Sequence, residues 1–397
     1  MYKQPLLLPI LTPLAGALIA LLLPRRITGW LTVAVCAANA FFSSRPLGAG
    51  QAYSLPWLSG ALSFSLRGNN FNCLLLFFAA LLAFLLAVYS AVFLRDRPAN
   101  RLFYFSFLLA LAFSAGVFLA DNLLLLLFCW EGILLCLCGM IVASREEGAF
   151  QTALKAFVIM GASDLCLLAG ACLTGFLAGT WEISRIDLTL SGAGAAAFIL
   201  LALGAIAKAG SMPFHSWIPD AAQAAPLPFM AFFPAAMEKL LGIYLLARLA
   251  TDLFLVIPGS TVSLFLMSAG GVTIILEVMM ALAQKEYKRL LSYHAISQVG
   301  YMILGIGTAH PLGIIGGIFH MLNNCLYKSG LFLTAGAVER QAGTTDLQKL
   351  GGLGKRMPLT FALFAVCAFS ISGVPPFNGF FSKEMIYKAA LEHGWVF

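Results

Sequence analysis

Apolar runs of about 20 residues, the length that carries an α-helix across a bilayer, dominate this sequence. They fall at 6–23, 27–44, 71–94, 102–120, 122–144, 154–178, 192–210, 226–250, 260–283, 288–309, 312–335 and, with an interruption, 359–395. Backbone hydrogen bonds inside lipid have to be made within the protein, and a helix makes them within each segment. With 61% hydrophobic and 10% charged residues among 397, there is too little polar material to cover a water-soluble globule. The expected fold is an all-α polytopic membrane protein with about 12 transmembrane helices.

The first run contains Pro9 and Pro13 and is followed by Arg25 and Arg26, so a cleaved signal peptide is not expected. The net charge of +7 does not point to nucleic acid, because the basic residues lie in short loops. Arg25/Arg26, Arg95/Arg97/Arg101, Arg145, Lys285/Lys288/Arg289 and Arg340/Lys349/Lys355/Arg356 follow odd-numbered spans, which places the N-terminus outside by the positive-inside rule. The outer connection from Arg45 to Asn70 is rich in Ser, Gly and Pro and compatible with a short hairpin. The nine cysteines lie in or beside apolar runs with no CxxC pair and no histidine at ligand spacing, so they read as small core residues and no metal site is expected.

Two stretches share the form G-x-x-P-F-[H/N]-x-[W/F]: Gly210-Ser-Met-Pro-Phe-His-Ser-Trp217 and Gly373-Val-Pro-Pro-Phe-Asn-Gly-Phe380. Each follows an apolar half-span, so Gly and Pro interrupt a membrane helix at two corresponding places. Paired discontinuous helices mark ion sites in transporters.

A charge at the centre of a membrane helix costs roughly 2.5–3.5 kcal/mol on insertion scales, so each needs a reason. Glu131 lies nine or ten residues from either end of its span, too deep for a short acid to reach water. Asp164 is likewise intramembrane, and Lys208 closes an apolar run just before the first break. A lysine beside a carboxylate keeps its proton and one whose carboxylate is withdrawn releases it, so Glu131 with Lys208 is the chosen gate. His320, Asn324 and Lys328 fall at i, i+4 and i+8 and line one helix face. Lys288 and His294 belong to an unusually polar helix that would bridge the two halves, although Lys288 also suits a loop-edge position. Lys383 and Glu384 follow the second break in the place that Lys208 holds near the first. Glu277, Glu238 and Lys239 are further intramembrane charges, and the adjacent Glu238 and Lys239 are not expected to face each other. Lys155 and His215 complete the supporting set.

These residues carry a resemblance. Cys129-Trp-Glu-Gly-Ile, Ala153-Leu-Lys-Ala-Phe with Asp164, Ala207-Lys-Ala-Gly-Ser-Met-Pro-Phe-His-Ser-Trp-Ile-Pro-Asp-Ala, Lys288-Arg-Leu-Leu-Ser-Tyr, Ile296-Ser-Gln-Val-Gly-Tyr-Met, His320 to Lys328, Gly343 to Gly352 and Gly379-Phe-Phe-Ser-Lys-Glu are similar to the antiporter-like proton-translocating membrane subunits. That family is shared by respiratory complex I, Mrp-type sodium/proton antiporters and energy-converting membrane-bound hydrogenases, and the likeness runs from about residue 70 onward. It implies two inverted five-helix repeats, each with one discontinuous helix. Accordingly the chain divides into N-terminal helices over 1–100, a first repeat over 101–250 and a second over 251–397. The resemblance assigns the fifth-span glutamate to Glu131, the first-break lysine to Lys208, the central lysines to Lys288 and Lys328, and the exit to Lys383 and Glu384. This sequence departs from the pattern at Pro234 and Asn324, where relatives carry histidines. A thirteenth span has no counterpart before Phe397, so the second repeat is expected to be incomplete.

The function expected is translocation of protons, or of Na+, coupled to redox chemistry in partner subunits of a complex I-like or hydrogenase-like assembly. No cofactor is expected in this chain; flavin, iron–sulfur or NiFe centres would sit in a peripheral redox arm. The alternative is an Mrp-type Na+/H+ antiporter subunit without redox partners. Either places the chain in a bacterial or archaeal inner membrane, beside other membrane subunits.

Overall fold

The computed structural model describes residues 6–48, 50–57, 62–95 and 100–392; Arg97 and Phe397, named above, lie outside them. Contacts divide the chain into two compact units, Met1–Leu188 and Thr189–Phe397.

The first unit holds α1 (Leu8–Leu22), α2 (Arg25–Ser44), a hairpin of β1 (Gln51–Trp57) and β2 (Leu62–Gly68), α3 (Asn70–Phe93), α4 (Asn100–Leu119), α5 (Leu123–Val142) and α6 (Ala149–Ala178). The hairpin expected between Arg45 and Asn70 is present, with Gln51 opposite Gly68 and Trp57 opposite Leu62. It is tied to the helices where Asp121 N–H donates to the Ser65 carbonyl at 2.9 Å. Asn122 then caps α5 by accepting from the N–H groups of Leu124 and Leu125, two donors that a helix start leaves open. The helix α6 starts five residues earlier than its apolar run, because Gly148 takes a left-handed φ of +78° that turns the chain out of the charged loop.

The second unit holds α7 (Ala193–Lys208), α8 (Trp217–Ala224), α9 (Leu227–Phe232), α10 (Glu238–Arg248), α11 (Thr261–Leu282), α12 (Tyr287–Gly307), α13 (Pro311–Ala342), the short α14 (Leu353–Arg356), α15 (Pro358–Ser372) and α16 (Asn378–Glu392). A π turn at Phe233–Met237 joins α9 to α10, and a second at Leu249–Leu253 ends α10. Pro234 lies inside the first; it has no N–H to give and disrupts α-helical bonding there. The 27-residue span Leu227–Leu253 is buried from Leu227 through Ala250, with Thr251 and Asp252 exposed near its end. Helices α11 and α12 cross at glycines: a Cβ on either Gly270 or Gly300 would meet the other's carbonyl oxygen at 2.6 Å. Small residues at a crossing are how membrane helices approach closely without an aqueous driving force.

Among the described residues, seven helices are long and apolar enough to cross a membrane, and α1, α7 and α15 are shorter apolar helices. The helices α12 and α13, of 21 and 32 residues, stand outside that count because they carry the polar residues considered next. The fold is that of an all-α membrane protein with one small hairpin.

Candidate functional site

Both sequence breaks are real interruptions and share a backbone. In the first, α7 ends at Lys208, Gly210 takes φ +79° and the Met212–Pro213 peptide is cis. In the second, α15 ends at Ser372, Gly373 takes φ +77° and the Pro375–Pro376 peptide is cis. Glycine is the residue that adopts this φ without a steric penalty.

Each break glycine has a buried lysine against it. A Cβ at Gly210 would lie 3.1 Å from Lys239 Nζ, and a Cβ at Gly373 would lie 4.0 Å from Lys383 Nζ. Lys239 is fully buried and forms an ion pair at 3.8 Å with Glu238, also fully buried. This corrects the expectation that neighbouring residues on a helix do not meet: at the junction of the π turn and α10 the two long side chains converge under the break. Glu238 is also within Coulombic range of Lys208, which is 1% exposed. The counterpart of Lys383 at the first break is therefore Lys239 rather than Lys208.

The row continues along α13. Lys328, fully buried, donates to the Leu291 carbonyl at 3.0 Å and lies within Coulombic range of Lys239 and Lys383. His294 of α12 is in range of Lys328 and Lys383. His320 shares hydrogen bonds with Ser382 at 2.9 Å and Gln298 at 3.2 Å. Asn324 donates to the Ala235 carbonyl at 3.2 Å, inside the π turn. Lys383 donates to the Ile371 carbonyl and stands 4.8 Å from the centre of the Tyr301 ring. Among the described residues, one unit thus contains Lys208, Glu238, Lys239, Lys328 and Lys383 with His294, His320 and Asn324 between them.

Other expected members fall elsewhere. Lys288 pairs with Glu339 at 3.3 Å, with the two side chains 10% and 30% exposed, at the edge where α12 begins. The loop-edge position that the sequence also suits describes this contact with Glu339. Glu384 is half-buried and pairs with Lys388 one turn on at 2.8 Å. In the first unit, Asp164 is buried and accepts from Trp130 Nε1 at 2.8 Å. Lys155 is half-buried on α6. Glu131 lies on the face of α5 that its own unit leaves uncovered, with Phe128 and Leu135 at 59% and 65% exposure, so a buried Glu131 is not found there. Lys208 belongs to the other unit.

His215, a supporting candidate, meets Glu277 at 3.1 Å, and Ser211 meets Thr273 at 3.0 Å, so the first break is fastened to α11. The second is fastened to α13 through Asn323, Asn378 and Ser382. Sequence reasoning misses Ser211, Thr273, Asn323, Asn378 and Ser382 as site residues. Their signal is weak: small polar residues recurring one turn apart beside a Gly/Pro break.

A family model described as NADH:quinone oxidoreductase/Mrp antiporter, TM, matches residues 120–397. The chain is 32% identical over 412 residues to one of the Na(+)/H(+) antiporter subunits of Alkalihalophilus pseudofirmus, covering 94% of this chain and 50% of that protein. It is 33% identical over 412 residues to NADH-quinone oxidoreductase subunit L of Mycobacterium tuberculosis, covering 97% of this chain and 63% of that protein. The chain therefore spans between half and two thirds of the length of these relatives. Among solved structures it superposes on a chain of the Mrp complex from Dietzia sp. DQ12-45-1b with a TM-score of 0.90 and 29% identity, over 98% of this chain and 43% of that one. On the family match over residues 120–397, a range that includes both breaks and the lysine row, the chain belongs to the NADH:quinone oxidoreductase/Mrp antiporter transmembrane family.

Proposed function

We propose that this chain moves protons, or Na+, along the row Lys208, Glu238, Lys239, Lys328 and Lys383. The observation that carries this reading is the repeated pairing of a broken helix with a buried lysine: Lys239 at Gly210 and Lys383 at Gly373. A lysine ammonium held in a low-dielectric interior keeps or loses its proton according to the charges around it. Glu238 holds that balance for Lys208 and Lys239 together, so motion of its carboxylate toward one leaves the other less stabilised. The carbonyls of Leu291 and Ile371 accept from the charged form of Lys328 and Lys383, and His294 and His320 offer imidazole nitrogens between them. Discontinuous helices supply such carbonyls at transporter ion sites.

The inverted-repeat architecture and the three-part division at 1–100, 101–250 and 251–397 belong to the same reading. So does the assembly: the chain works beside other membrane subunits, driven by redox chemistry in a peripheral arm whose flavin, iron–sulfur or NiFe centres are not its own. An Mrp-type Na+/H+ antiporter subunit without redox partners is supported equally by the relatives, one named as part of an antiporter and the other as part of NADH-quinone oxidoreductase. Purification of the native complex separates the two: redox centres in copurifying subunits favour the first, and Na+-dependent proton exchange in their absence favours the second.

Transport by the reconstituted complex tests the row. Lys239→Ala and Lys208→Ala are each expected to impair ion flux while assembly and any electron transfer persist. Undiminished flux in both lysine variants would discard the relay.

A further inference from the structure

The two breaks are fastened to neighbouring helices by the same device built from different chemistry. The sixth position of the shared motif is His215 in the first break and Asn378 in the second. His215 Nε2 lies 3.1 Å from Glu277 Oε1 on α11. Asn378 donates to Asn323 Oδ1 on α13 at 2.9 Å, and Asn323 returns a bond to the Asn378 carbonyl at 3.0 Å. One turn away each link has a companion hydrogen bond, Ser211 with Thr273 at 3.0 Å and Ser382 with His320 at 2.9 Å.

At the second break the corresponding link is made by two neutral amides. A glutamate is an expensive way to do the same. Glu277 is 1% exposed on a 22-residue apolar span, where an intramembrane acid costs roughly 2.5–3.5 kcal/mol. Its Oε2 is buried without a hydrogen-bond partner, so the carboxylate is not there to satisfy a set of fixed donors. The side chain of His215 is 16% exposed against 1% for Glu277, which gives the couple an outer and an inner member.

We propose that His215 and Glu277 take up and pass on a proton at the first break, an inference that rests on the transport reading above. A proton arriving at Nδ1 of the neutral ring makes an imidazolium beside a carboxylate. Transfer of the Nε2 proton to Oε1 then gives a neutral ring and a carboxylic acid. Loss of that acid proton to the next base restores the starting charge, with the ring in its other tautomer until rotation resets it. The second break, closed by Asn323 and Asn378, has no equivalent step at that position.

The test copies the second break into the first. His215→Asn with Glu277→Asn, in the full chain within its reconstituted complex, keeps a neutral clamp and removes both proton acceptors. Proton flux is expected to fall roughly a hundred-fold, the lower end for a lost proton-transferring group, while assembly persists. The reversed pair, His215→Glu with Glu277→His, keeps a titratable couple and is expected to retain measurable flux. Wild-type flux in the doubly neutral chain, or none in an assembled reversed chain, would overturn the proposal. If neither chain assembles, the couple is a structural tie and the proposal also falls. Lys239→Ala run in parallel tells the two readings apart: if it abolishes flux while the neutral clamp does not, only this proposal is lost; if it too leaves flux intact, the relay itself is lost.

Discussion

Lys383 donates a hydrogen bond from its ammonium to the carbonyl oxygen of Ile371 at 2.7 Å, closing the end of a helix that the second break leaves open. The last carbonyls of a helix have no partner within it. Here Val374 and Gly373 N–H groups satisfy Phe369 and Ser370, and the lysine takes Ile371. Its charge also sits at the negative end of the helix dipole. Lys383→Met is expected to strand that carbonyl, lowering stability by about 1–3 kcal/mol and abolishing flux. Thermal unfolding in detergent and transport in vesicles measure the two effects separately.

Glu238 and Lys239 are both fully buried and 3.8 Å apart, so neither tolerates loss of the other. Glu238→Ala is expected to cost roughly 3–5 kcal/mol because it strands an ammonium, whereas Glu238→Gln with Lys239→Met recovers much of the loss. A double-mutant cycle of Glu238→Gln, Lys239→Met and the two together on the unfolding midpoint reads the coupling. Additive losses would show that the pair does not interact.

Lys288 separates edge from interior. Its bond to Glu339 is partly exposed, and such pairs contribute about 0–1 kcal/mol. Lys288→Met is expected to leave flux near wild type, while Lys328→Met, at a fully buried position, removes it. Parallel vesicle assays decide; equal losses would return Lys288 to the row.

Two adjacent glycines of α11 make a matched packing test. A side chain at Gly270 meets the Gly300 carbonyl, and one at Gly271 meets nothing within 4 Å. Gly270→Leu is expected to destabilise the chain by about 1–3 kcal/mol and Gly271→Leu to be close to neutral. Unfolding of the purified chain in detergent checks both.

The spans and both breaks are legible in the sequence because they rest on length, hydropathy and two residue types with special backbones. Facing is not. On the fully buried helix running from Leu227, every side is apolar, so periodicity cannot say which way Lys239 points, and the π turn containing Pro234 changes the register again. That is why the sequence reading sets Lys239 only among the supporting residues, while the geometry brings it against the first break. Glu384 shows the same dependence on facing: it shares a short helix with Lys383, but one position along turns it about 100°, onto Lys388. Glu131 shows that depth in a span and burial are different properties, since an acid at mid-helix lies on a face its own unit leaves open.

Helix α13 spans 32 residues, about 48 Å at 1.5 Å per residue, without a break. Asn324, Cys325 and Ser329 bind it to the carbonyls of Ala235, Ala236 and Ala231 on one neighbour, and His320 and Asn323 bind it to Ser382 and Asn378 on another. The two sets of fastenings follow one another within fewer than three turns, so neither neighbour can slide along the rod without shearing bonds on the stretch that also carries Lys328. Position along this shaft is therefore a shared coordinate: the π turn and the second break keep time with the lysine between them.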